Sequence, residues 1–93
     1  MELKDCVERV LQGFEEGEVF DSHTIIHEIR KDKEMNEIYM HCFPENFSIA
    51  KYHGIIAQKI GEQKNIKKMD FKIRSCTIYG DLEPNQAWMK KSE

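Results

Sequence analysis

Along the first half of the chain, apolar residues recur three and four positions apart. From Glu2 to Phe14 they stand at Leu3, Val7, Val10, Leu11 and Phe14, with Glu, Lys and Arg between them. This spacing predicts an amphipathic helix ended by Gly13 or Gly17. In "EGEVFDSH", Val19 and Phe20 are β-prone and predict a very short strand. Asp21 and Ser22 are both good N-caps for a second helix, Ser22 to Lys31, with Ile25, Ile26 and Ile29 inward. "DKEMNEIYMHCF" repeats the helical rhythm at Met35, Ile38, Tyr39, Cys42 and Phe43. Pro44 stops that third helix, because the residue before a proline is pushed out of the helical region. Ser48 caps a fourth helix that Gly61 ends, with Phe47 placed to staple onto Tyr52. At about 100° per residue, Ile49, Tyr52, His53, Ile56 and Ile60 share one side of it. Lys51, Gly54, Gln58 and Glu62 lie opposite, and Ile55 and Lys59 fall on a flank.

Beyond Asn65 the period drops to two. In "MDFKIRSCTIYG", Phe71 and Ile73 face one way and Lys72 and Arg74 the other, which predicts a strand. Cys76 and Ile78 fall on the opposite parity and predict a phase slip near Ser75. "GDLEPN" reads as a turn-rich loop and "QAWMKK" as the returning antiparallel strand. A lone hairpin is barely stable in water, so it must pack on the helices, and Trp88 is expected to close it onto the first helix. The other aromatic residues, Phe71 and Tyr79 among them, are expected mainly in the core. The pattern predicts one α+β domain over the whole chain, three to four helices followed by a two-stranded antiparallel hairpin.

That order, with the segments "GEVFDSHTII", "KYHGIIAQKI" and the closing "IYG…AW", resembles the winged helix-turn-helix family. There a strand stub precedes the middle helices and a hairpin wing follows the recognition helix. The resemblance spans most of the chain. It implies a small nucleic-acid-binding or regulatory module whose recognition helix is the stretch from Ser48 to Gly61. The chain departs from the family by an extra helix and the loop "FPENF" before that helix, where a compact helix-turn-helix has a turn of about 3–4 residues.

Composition adds limits. Ninety-three residues are enough for one modest core and for one domain. No apolar run approaches the ~18 residues of a membrane span, and "MELKDCVERV" lacks the apolar region of a signal peptide, so the expectation is a soluble cytoplasmic protein with no membrane partner. Cys6, Cys42 and Cys76 are odd in number, widely spaced and without a C-x-x-C, which predicts reduced, mostly buried thiols. The net charge of −3 conceals an asymmetry: residues 1–46 hold five Lys/Arg against twelve Asp/Glu, whereas residues 47–93 hold nine against five. Such a division hints at a polyanionic partner for the basic half.

The candidate chemistry follows that division. If the fourth helix enters a major groove of duplex DNA, Lys51 reaches phosphate or guanine and Gln58 pairs with adenine. Ile55, exposed on the helical wheel, would touch a thymine methyl, with Lys59 beside it on the flank. Lys64, Lys67, Lys68, Lys72 and Arg74 would hold phosphates from the loop and wing, and a homodimer would double the contacts. Two alternatives stand. The lysines are a solvated face, in keeping with a pI of about 5.8. Or the domain binds protein, as an adaptor or a small inhibitor of a nucleic-acid enzyme, through an apolar patch around Ile55, Met35 or Trp88. His23 and His27 share a helix face four residues apart, as zinc ligands would. No third ligand has a defined spacing, so an exposed, solvated pair and no metal or other cofactor are expected. His53 reads as a half-buried, hydrogen-bonded core histidine. Nucleophile-elbow, P-loop and dinucleotide patterns are missing, and an enzyme is not expected.

Overall fold

In the computed structural model, which describes residues 1–91, each amphipathic segment is a helix. Helix α1 (Leu3–Gln12) buries Leu3, Cys6, Val7, Val10 and Leu11. Strand β1 (Val19–Asp21) leads directly into α2 (Ser22–Lys31), whose first turn is capped by the Asp21 side chain accepting from the Thr24 amide at 3.0 Å. A single extended residue, Asp32, separates α2 from α3 (Lys33–His41) and caps the latter by accepting from the Met35 amide at 2.9 Å. After a loop in which Asn46 takes a left-handed conformation (φ 65°), one that asparagine tolerates, α4 runs from Ile49 to Gly61 under a Ser48 cap. Val7, Ile25, Ile29, Ile56 and Ile60 meet at the centre with no exposed surface. Each such side chain contributes roughly 1.5–3 kcal/mol by leaving water.

The sheet corrects the expectation of a two-stranded hairpin. Strands β2 (Ile66–Cys76) and β3 (Leu82–Lys90) pair antiparallel, and β1 joins the other side of β3 through Val19, Phe20 and Asp21, giving the order β1-β3-β2. The stub thus turns a marginal hairpin into a three-stranded sheet tied to the helices, and Phe14 seals that junction edge-on to Phe20 at 4.8 Å. Strand β3 also begins earlier than expected, taking in Leu82 and Pro84. Because β1 covers only Ala87–Met89, the outer half of β3 has one free edge, where a proline without its N–H is tolerated.

The register slip falls between Lys68 and Lys72, not near Ser75. Ile66 and Ile73, both half-buried, are an odd number of residues apart, so the alternation must change phase between them; exposed Cys76 imposes no such demand. Phe71, within the slip, is 44% exposed, and Tyr79, at the hairpin end, is 70% exposed; neither joins the core. Trp88 packs on the core, and its ring edge meets the end of α4, where a Cβ added at Gly61 would lie 3.1 Å from it. Gly61 is therefore the last helical residue, small so that Trp88 can approach, while Glu62 forms the C-cap. The staple expected between Phe47 and Tyr52 is replaced: Tyr52 packs on Phe43 at 4.7 Å, and Phe47 lies under the Lys51 ammonium at 4.6 Å.

Candidate nucleic-acid interface

The sequence-predicted residues fall into two groups. Lys51, Gly54 and Gln58 are exposed together on the outer face of α4. Lys64, in the loop that follows, and Lys67, Lys68, Lys72 and Arg74 on β2 are exposed as well, and α4 packs against β2. Ile55 and Lys59 are set apart. Both are half-buried and line a cleft with Leu3, Lys4 and Pro44, so Ile55 is not the exposed apolar contact that the wheel suggests. The chain folds its N-terminal helix over that flank, which a wheel drawn for one helix cannot register.

The electrostatics of the first group are simple. Lys51, Lys64, Lys67, Lys68, Lys72 and Arg74, like Lys59 of the second group, form no ion pair among the described residues, whereas Lys4 pairs with Glu2 at 3.8 Å and Lys31 with Glu28 at 2.9 Å. The cations of α4 and β2 are thus free to meet an external anion. On an edge strand they also discourage pairing with another sheet, as lysines on edges do.

A polar cluster fixes the hairpin beside α4. Asp21 is fully buried, and its second oxygen accepts from the Ser75 hydroxyl and from the Asn85 amide at 3.4 Å. Asn85 also donates to the Ser22 hydroxyl at 2.8 Å, and Ser75 lies 2.6 Å from His23 Nδ1. His27 Nε2 donates to the Cys76 carbonyl at 3.1 Å. The two histidines therefore do not form a solvated pair: His23 is half-buried, and both clip β2 to α2. No group of three His, Cys, Asp or Glu among the described residues could hold a metal ion. His53 Nε2 accepts from the Tyr39 hydroxyl at 2.7 Å. Burial first, and then the charges of His23, Arg30 and His27, lower its pKa from 6.5 to about 4. Burial raises the Tyr39 and Tyr52 hydroxyls, so both stay protonated, and Tyr52 donates to the Tyr39 carbonyl at 2.6 Å.

Two features escaped the sequence pattern. Between α4 and the hairpin end lies a cavity of about 400 Å³, floored by Ile49, Ala50, Ala57 and Ile78 and rimmed by Asp81 and Glu83. Its only signal was the pair of acidic residues in "GDLEPN", which tertiary folding alone brings over α4. The exposed large apolar side chains are Met1, Val19, Met40, Phe71, Tyr79 and Leu82, whereas Met35 is buried and Ile55 and Trp88 are half-buried. Of the thiols, Cys6 is buried, Cys42 half-buried and Cys76 exposed, and all three are free. No described helix is long and apolar enough to cross a membrane. A scan of family models and searches of curated proteins and of solved structures found no match to this chain.

Proposed function

We infer that the chain is a winged-helix-type module that binds nucleic acid through the outer face of α4 and the basic strand β2, without catalysis. The observation that carries this reading is the run of exposed cations on α4, the 64-loop and β2, none paired with a carboxylate among the described residues. An ion pair within the fold would have to be broken before a phosphate could bind; these side chains pay no such cost. The element order supports the fold assignment: a stub before the middle helices pairs with the second hairpin strand, and the hairpin after α4 stands as a wing clipped by Asp21, His23 and His27. Lys67, Lys68, Lys72 and Arg74 position a phosphate backbone, and Lys51 and Gln58 meet base edges.

The test is fluorescence anisotropy of a labelled duplex with the wild type, with the K68Q/K72Q/R74Q variant, and with a K4Q/K31Q/K33Q control that removes three exposed cations elsewhere. The reading expects the β2 variant to bind at least tenfold more weakly and the control to lose far less. Equal losses in the two variants would reduce the binding to diffuse attraction and defeat the assignment of β2.

A further inference from the structure

The cavity between α4 and the hairpin end has the wrong charge for phosphate. Its rim carries the carboxylates of Asp81 and Glu83, both exposed and neither in an ion pair among the described residues. The titratable side chains facing it are those two, His23, His53 and Tyr79; no lysine or arginine lines it. Its floor is aliphatic and shallow because α4 presents Ala50, Gly54 and Ala57 there, and a Cβ added at Gly54 would meet nothing within 4 Å. At about 400 Å³ it admits one long side chain with its flanking backbone. At the opening, Tyr79 is 70% exposed, apolar surface that a chain entering the cavity would cover.

We propose that this cavity is a docking site for a partner protein's segment, anchored by one arginine side chain. The arginine stem lies along Ala50, Ala57 and Ile78, its guanidinium reaches Asp81 and Glu83, and its plane rests on Tyr79. Arginine fits better than lysine because its fork matches a carboxylate with two donors and its flat face stacks on an aromatic ring. The site adjoins the basic face at Gly54 but uses none of its cations, and it does not depend on the nucleic-acid reading.

The probe is the peptide acetyl-Leu-Arg-Leu-amide, titrated into the ¹⁵N-labelled full chain and followed by amide chemical shifts. Its neutral isostere, with citrulline in place of arginine, is the control. The arginine peptide should move the amides of Gly54, Ala57, Tyr79 and Asp81 and saturate in the millimolar range. The D81N/E83Q variant, altered only at exposed side chains, should keep the remaining spectrum and bind at least tenfold more weakly. No shift at those amides up to ~10 mM peptide, or equal shifts with the citrulline peptide, would overturn the proposal. Shifts at the same amides on raising protein concentration alone would name a second copy as the occupant, through its β2 cations, and would overturn the partner proposed here. The outcome is independent of duplex binding, which is measured with a different ligand and different variants.

Discussion

Replacing Asp21 with alanine tests how firmly the hairpin is held beside α4. Asp21 is the only charged residue among the buried ones described, and both of its oxygens are used. One caps α2, accepting from the Thr24 amide at 3.0 Å and the Thr24 hydroxyl at 2.9 Å. Loss of such a cap costs about 1 kcal/mol. The other accepts from the Ser75 hydroxyl and the Asn85 amide. Removing it costs Asn85 one of its two acceptors and leaves the Ser75 hydroxyl only His23 Nδ1 as a partner, at about 1–2 kcal/mol together. The sum, about 2–3 kcal/mol, should lower the melting temperature by roughly 10–20 °C in a domain of this size. Asp32→Ala is the reference: that exposed side chain caps α3 by one bond to the Met35 amide and ties nothing else down, so it should cost only about 1 kcal/mol. Urea titrations followed in parallel by Trp88 fluorescence and far-ultraviolet circular dichroism would read both variants. If Asp21→Ala costs no more than Asp32→Ala, the tie from Asp21 to Ser75 and Asn85 carries no stability, and the argument that it positions the hairpin fails.

Three further outcomes can be checked in the same way. The folded state keeps His53 neutral, with its pKa lowered from 6.5 to about 4, so the unfolded chain takes up the proton first. The associated stability is complete above pH 6.5 and is lost as the pH falls towards 4; His53→Gln should flatten the difference in unfolding free energy between pH 7 and pH 5, and an unchanged pH profile would contradict the burial argument. Gly80 turns the hairpin at φ +85°, so Gly80→Ala should destabilise by roughly 1–2 kcal/mol in a urea titration. Gly54→Ala should act with the opposite sign, gaining up to about 1 kcal/mol from helix propensity, since nothing lies within 4 Å of the added methyl; the same sign for both would refute the backbone reasoning.

The helices were legible in the sequence because each carries its own apolar stripe, and α2 and α4 a recognisable N-cap as well. Ser22–Lys31 is bounded as the pattern predicts, and Ile56 and Ile60 are buried where the wheel of α4 puts them. What the pattern missed depends on contacts between segments distant in the chain. Val19 and Phe20 read as a stub, but nothing local says that they pair with Met89 and Trp88. Gly61 read as a helix stop, whereas its role is to leave room for Trp88. Tyr79 and Phe71 share the alternation of inward residues, yet Tyr79 sits at the hairpin turn with its ring exposed and the register slip turns Phe71 out. For the candidate interface, the outward facing of Lys72 and Arg74 followed from strand alternation alone, whereas Lys67 and Lys68, adjacent in β2, followed only from their charge. The flank holding Ile55 and Lys59 and the acidic cavity did not, because each is built by a partner element: α1 in one case, the hairpin end in the other.

The central claim, that α4 and β2 form a nucleic-acid surface, is tested most directly by the salt dependence of duplex binding. Anisotropy titrations of a labelled random duplex would be run at several salt concentrations between about 50 and 200 mM. Neutralisation of about six phosphates predicts a slope of roughly −5 in log K against log salt and a loss of about 10³ in affinity across that range. Replacing Lys68, Lys72 and Arg74 by glutamine should reduce the slope by about one per residue removed. No binding at ~50 mM salt with micromolar protein, or a slope untouched by those substitutions, would contradict the account.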